Sequence, residues 1–173
     1  MNGAHLHLLL NHLPVIGTLF TILLLAIGVA LKNATLVRTS LAFFPLLVIS
    51  AVAVMLTGEP AEDIVKQVPG VAKSAIHAHE EAGEMATWAL AALGVVSLTV
   101  LAALRKRARL PAGFALGMLL FSLVPAAAMA RTAYLGGQIR HSEINSGALA
   151  SATDTGADRE ATAADAHSSH DND

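Results

Sequence analysis

Four long apolar segments dominate the pattern of hydrophobic and polar positions along the chain. They run from Leu13 to Leu31, from Thr39 to Thr57, from Met85 to Leu104 and from Ala112 to Leu135. A helix of about 20 apolar residues crosses the roughly 30 Å hydrocarbon core of a bilayer. Because segments of this length satisfy their backbone hydrogen bonds in lipid only as helices, the pattern predicts an all-α fold, an integral membrane four-helix bundle.

The polar stretch between the second and third segments predicts further helical structure. The glycine and proline of "TGEPA" follow the second segment and are a usual helix stop. The acidic start and helical spacing of "PAEDIVKQV" predict a short interfacial helix between spans two and three. The sequence "VPGV" should end it, and the next helix should begin near Ala72.

The end of the chain differs in composition from the rest. From Ser142 onward it is rich in Ala, Ser, Thr and Asp and has no apolar period. Such a segment cannot bury enough apolar surface to fold. We therefore expect a four-span membrane domain over residues 1–141 and a disordered acidic tail over residues 142–173.

Basic residues in the two short connections predict the orientation. Lys32 and Arg38 stand between spans one and two, and "RKRARLP" stands between spans three and four. Short basic connections stay on the cytoplasmic side. The long connection and both termini should then face outward. No Lys or Arg precedes the first span, and the span is longer than the apolar region of a signal peptide, so we expect a retained helix.

Composition supports a membrane protein and limits its chemistry. The chain is 54% hydrophobic and 14% charged, whereas soluble domains carry about 25% charged residues. It has no cysteine, which excludes disulfides, thiolate chemistry and covalent haem attachment. Basic residues interleaved with aromatics are lacking outside one short loop, so we expect the lipid bilayer and no nucleic acid as partner.

Histidines collect on the predicted outer side. Six precede the tail there, at the ends of three spans: His5, His7, His12, His77, His79 and His141. A single histidine at a membrane edge is often only an interfacial residue, but six on one face favour a shared site. Imidazole ligands at helix ends, without cysteine, are typical of b-type haem or of a metal ion.

Position along the spans ranks these histidines. A haem with two histidine ligands needs two that face each other, and we expect His12 and His79 to serve. His141 is the alternate ligand or a neighbouring hydrogen-bond donor, and His7 supports the site. On a helix, His12 and His5 share a face because they are seven residues apart.

The end of span four carries further candidates for cofactor binding. Arg131 lies in its outer part, three residues before Tyr134. Arg131 is expected either to extend to the interface or to pair with an outer glutamate or a haem propionate. Gly136-Gly137 should end the helix and turn the chain back over the bundle.

A non-haem site is the first alternative. Copper, zinc or iron accepts imidazole and carboxylate donors, and the sequence offers His12, His79, Glu80 and His141. The stretch "HAHEE" is not the H-E-x-x-H motif, so a zinc protease is not favoured. The second alternative is a structural subunit without a cofactor.

Enzyme chemistry based on serine has little support. No G-x-S-x-G motif occurs. The serines inside the spans are expected to bond the backbone of their own helices: Ser40, Ser50, Ser97 and Ser122. We expect an electron-transfer or binding subunit rather than a stand-alone catalyst.

Four short motifs resemble those of the DUF2231 family of small bacterial four-helix membrane proteins: "HLLLNHLPVIG", "TGEPA", "HAHEEAGE" and "YLGGQIRH". His7 and His12 match the two histidines of the family's opening pattern, with Leu8 in place of its proline. His79-Glu80 is similar to the family's H-E before the third span. Gly136-Gly137 and His141 are similar to its closing glycines and histidine.

The resemblance implies a four-span bundle in the bacterial inner membrane with an outward histidine layer. Together with the residues, it leads to a prediction of function. The protein is expected to bind haem b, or a metal ion, for electron transfer in a larger complex with other membrane or periplasmic redox subunits.

Overall fold

The computed structural model describes residues 3–103, 105–106 and 111–140. It contains five helices: α1 (Gly3–Leu10), α2 (His12–Ala30), α3 (Ala34–Val65), α4 (Lys73–Ala103) and α5 (Ala112–Arg140). These described residues include no strand. Four helical segments, with α1 and α2 joined as one, are long and apolar enough to cross a membrane. The predicted all-α four-helix bundle is confirmed, and the chain is a multi-pass membrane protein.

Two sequence predictions lie outside the described residues, namely His141 and the tail over residues 142–173. The chain divides into two compact units between Gly136 and Gly137. The packing and the site described below all belong to the first unit.

Helices α1 and α2 form a nearly continuous span. Only Asn11 separates them, and its backbone is still right-handed helical, with φ −61° and ψ −25°. Its N–H donates to the carbonyl of His7 at 2.9 Å. The first span therefore covers Gly3–Ala30, 28 residues, and extends well before the predicted start at Leu13. The opening histidines thus lie on a helix.

The predicted interfacial helix between spans two and three is wrong, because α3 continues as one helix of 32 residues. It passes through Gly58 and Pro60. The start of α1 packs closely on this extension: a Cβ added to Gly3 would lie 2.6 Å from that of Pro60. Such tertiary contact outweighs the weak local preference of glycine and proline to end a helix.

The break predicted at "VPGV" is confirmed. Gly70 has a positive φ of 84°, a conformation that glycine adopts without the steric cost of a Cβ. Helix α4 then begins at Lys73, one residue from the predicted start near Ala72.

Consecutive spans run antiparallel, as their close contacts show. Gly28 of α2 lies against Val37 of α3, Gly94 of α4 against Pro45 of α3, and Gly83 of α4 faces Thr132 of α5. The bundle therefore has two ends. The basic end carries Lys32 and Arg105–Lys106, and the histidine end carries Gly3, the connection 66–72 and Gly136.

Large apolar side chains from three helices fill the centre of the bundle. Five of them are fully buried: Leu25, Leu41, Phe44, Leu90 and Leu93. Lipid tails are as apolar as leucine, so close packing rather than the hydrophobic effect holds these helices together. The outer faces carry exposed apolar side chains, as expected against lipid: Leu19, Phe20, Ile49, Leu56, Trp88 and Leu120 among others.

Most hydroxyls inside the spans bond their own helix, as predicted for the serines. Ser40 donates to the carbonyl of Leu36, Ser50 to that of Leu47 and Ser122 to that of Leu119. Ser97 differs: it is fully buried, and its hydroxyl has no hydrogen-bond partner among the residues that the structure describes.

Asn33 begins α3, and its replacement by alanine should destabilise the bundle. Its Oδ1 accepts hydrogen bonds from the N–H groups of Thr35, at 3.0 Å, and Leu36, at 3.1 Å. Loss of such a cap costs about 1 kcal/mol. Thermal unfolding in detergent should show a lower midpoint for Asn33→Ala and an almost unchanged one for Asn33→Asp, which keeps the acceptor. Equal midpoints for both variants would contradict the capping role.

Candidate functional site

His7 is half-buried on α1 and is held by α3. Its Nδ1 lies 3.2 Å from the carbonyl oxygen of Val54 and 3.2 Å from the hydroxyl of Thr57. Since a carbonyl only accepts, Nδ1 carries the hydrogen. The Thr57 hydroxyl donates to the same carbonyl at 2.8 Å. In the neutral ring, Nε2 of His7 therefore keeps its lone pair.

His79 is held in the same manner between α4 and α5. Its Nδ1 lies 2.9 Å from the carbonyl oxygen of Thr132, so this nitrogen also donates. Gly136 lies directly against the ring, where an added Cβ would come within 2.9 Å of Cε1 of His79. The absence of a side chain at Gly136 lets the imidazole fill this space. In the neutral ring, the hydrogen bond of Nδ1 leaves Nε2 with its lone pair.

His7 and His79 both lie at the histidine end of the bundle, His7 on α1 and His79 on α4. Within the described part of the chain, neither Nε2 has a hydrogen-bond partner. We call His7 and His79 the imidazole pair. The pair thus offers two neutral nitrogen atoms as possible ligands, one on α1 and one on α4. A carbonyl of α3 orients the ring of His7, and a carbonyl of α5 orients the ring of His79.

The structure describes both His12 and His79 and shows no hydrogen bond between them, and their predicted pairing stays a prediction. Five residues turn a helix by about 500°, which places His12 roughly 140° around the helix from His7. His12 is exposed, and its Nδ1 donates to the carbonyl of Leu8 in the preceding turn at 3.0 Å. His5 shares this exposed face. His7, predicted as a supporting residue, is the half-buried histidine of this span and is held by α3.

Two predicted cofactor residues of α5 lie on its exposed surface. Arg131 and Tyr134 are exposed, whereas Thr132 and Gly136 lie against α4. The predicted helix end at Gly136-Gly137 is wrong, since α5 continues to Arg140. Gly136 serves the close approach of His79 instead of a turn.

Glu80, predicted as a metal ligand, is engaged with other side chains. Its Oε2 lies 4.0 Å from Nδ1 of His77 on the same helix. Lys66 Nζ lies 2.6 Å from Oε1 of Glu62, and this carboxylate raises the pKa of Lys66. Among the residues that the structure describes, no group of three or more His, Asp or Glu side chains could hold a metal ion.

The remaining polar side chains of α4 form contacts along its exposed surface. His77 Nε2 lies 3.5 Å from Oε1 of Glu81 and His77 Nδ1 lies 4.0 Å from Oε2 of Glu80. Trp88 donates its ring N–H to Glu84 at 3.4 Å. Solvent-exposed pairs of this kind contribute little to stability, and they do not contact the imidazole pair.

The groups that orient the two histidines were not foreseen from the sequence. Thr57 and the carbonyls of Val54 and Thr132 lie 47 to 53 residues from the imidazoles that they contact. No spacing rule connects residues so far apart, and backbone carbonyls leave no trace in a sequence. Gly136 was predicted to end the helix, because glycine near a helix end is more often a stop signal than a site of close approach.

Comparisons with known proteins give no family assignment: no family model, no curated protein and no solved structure matches this chain.

Proposed function

We propose that the imidazole pair would hold a b-type haem through its two free Nε2 atoms and that the protein transfers electrons as a subunit of a larger membrane complex. The carrying observation is the hydrogen bond from Nδ1 of each ring, His7 to Val54 and His79 to Thr132. Histidines that bind metals almost always donate their second nitrogen in this way, which fixes the tautomer and makes the free nitrogen more basic.

The number of donors favours haem over a bare ion. A porphyrin supplies four of the iron's nitrogens, so the protein needs only two, whereas a protein-bound zinc ion needs three or four protein ligands. The described residues offer two. The face of α4 around His79 carries the small residues Ala82, Gly83 and Ala86, which let the neighbouring helices approach closely.

The chain's own residues would position the group and shield it. The carbonyls of Val54 and Thr132 hold the planes of the two rings, and the neighbouring apolar helices limit access of water. When bound, haem iron accepts and releases one electron at a time. Helix-bundle interiors with facing side chains are a common setting for such cofactors.

The basic end supports an orientation for this function. Lys32 and Arg105–Lys106 lie together at that end, and short basic connections face the cytoplasm. The histidine end would then face outward from the bacterial inner membrane, with both termini on that side. Electrons would be exchanged with partners at this outer face.

The absorption spectrum of the full chain tests the proposal. The protein is produced with added haem precursor, without a histidine tag, and purified in detergent. We expect a Soret band, a reduced spectrum typical of two imidazole ligands and about one haem per chain. Absence of a Soret band after incubation with excess haem would contradict the proposal. A stoichiometric amount of copper, zinc or iron without porphyrin would show that the site binds a metal ion instead of haem.

A further inference from the structure

A groove of about 610 Å³ opens between α4 and α5 near the basic end. It is lined by apolar side chains of both helices: Val96, Val100, Phe114, Met118 and Phe121. Its size lies within the range of small-molecule sites in proteins, about 300–1,000 Å³. A concave apolar surface on the outside of a membrane bundle has the right chemistry for an acyl chain.

Two glycines keep this groove open. Gly113 and Gly117 both line it, and a Cβ added to either would meet no atom within 4 Å. The protein's own packing therefore does not require glycine at these positions. This distinguishes them from Gly28 and Gly94, where an added Cβ would come within 3 Å of a neighbouring helix.

The charged side chains that the structure describes at this end of the bundle are all basic. Within residues 1–142 every Asp and Glu falls between Glu59 and Glu84, at the histidine end. Arg105 and Lys106 are exposed at the basic end, just beyond α4. Val100 of the groove lies in the last turn of α4, which ends at Ala103, two residues before Arg105. An anion on these two residues would meet no competing carboxylate from this part of the chain.

We propose that the groove binds an anionic phospholipid. An acyl chain would lie along Val100, Phe114 and Met118, with the phosphate next to Arg105 and Lys106. Helix α5 begins at Ala112, between Pro111 and Gly113 of the groove, and the N-terminus of a helix favours an anion. Basic residues beside clefts between membrane helices are a recurrent way to hold anionic headgroups. This proposal does not depend on the imidazole pair.

Lipid-dependent stability tests the proposal. The full chain is purified in detergent, and its thermal unfolding is followed after addition of mixed micelles containing dioleoyl phosphatidylglycerol or dioleoyl phosphatidylcholine. We expect the phosphatidylglycerol micelles to raise the unfolding midpoint by several degrees more than the phosphatidylcholine micelles. Arg105→Gln with Lys106→Gln should weaken the preference for phosphatidylglycerol about tenfold or more, measured as the lipid concentration for half of the shift.

A matched control separates the groove from general attraction to an anionic surface. Lys32 is also exposed at the basic end but does not line the groove, so Lys32→Gln should keep the preference. Gly117→Leu should fill the groove and abolish the shift without lowering the midpoint in detergent alone, since leucine is favoured over glycine inside a helix.

Three results would overturn the proposal. The first is equal stabilisation of the wild-type chain by both lipids. The second is the same loss of preference in Lys32→Gln as in the double variant. The third is a wild-type dimer in detergent that Gly117→Leu converts to a monomer, since the groove would then be covered by a second copy of the chain.

Discussion

Replacing His79 by alanine should lower haem affinity by more than about 100-fold, because loss of a group that merely orients a metal ligand already costs about 10- to 100-fold. The same loss is expected for His7→Ala. Both variants remove one of the two donors of the imidazole pair, so any residual binding should lack the spectrum of two imidazole ligands. Titration of haem into each detergent-purified variant, followed in the Soret region, measures the effect.

His12→Ala is the matched control for these two variants. His12 lies on the same helical span as His7 but is exposed and bonds only its own helix. Its removal should leave haem affinity and spectrum unchanged. If His12→Ala lost binding while His7→Ala kept it, the pairing of His7 with His79 would be wrong and the pairing first predicted from the sequence would be restored.

A stability readout separates loss of a ligand from loss of fold. His79→Ala also removes the donor to the carbonyl of Thr132, which should cost about 1 kcal/mol in the haem-free protein. The helical circular dichroism should remain. If the haem-free variant stays helical and its unfolding midpoint is only slightly below that of the wild type, the lost binding is due to the missing nitrogen.

Gly28→Ala should destabilise the bundle by about 1–3 kcal/mol, the usual cost of adding a carbon where the core has no room. A Cβ at this position would lie 2.9 Å from the backbone nitrogen of Val37 and 3.0 Å from Cβ of Leu36. Backbone atoms cannot rotate away as the end of a side chain does, so α2 and α3 must move apart. Unfolding in mixed micelles with increasing dodecyl sulfate measures the change in free energy.

Gly58→Ala is the control and should have the opposite sign. Gly58 also lies within a helix, α3, but an added Cβ there would meet nothing within 4 Å. Alanine is favoured over glycine inside a helix by up to about 1 kcal/mol. If both variants changed stability equally, close packing at Gly28 would not limit the separation of α2 and α3.

The pattern of apolar and polar positions along the chain made the fold predictable. The four apolar segments required helices because no other form satisfies the backbone in lipid, and the structure has four such spans. The predicted helix boundaries were less accurate. The first span begins at Gly3 rather than Leu13, and α3 continues past "TGEPA". In both places α1 packs against the end of α3, a contact between residues more than 45 positions apart.

The sequence by itself determined an all-helical membrane bundle and the separation of histidines and carboxylates from the basic connections. Periodicity and hydropathy are local properties, so they can be read without knowing which helices touch. Only the tertiary structure decided that His7 rather than His12 is held against α3, and that Gly136 makes room for the His79 ring. These depend on the rotation of each helix about its axis. That rotation is set by small residues and by hydrogen bonds between helices, which no spacing along one chain specifies.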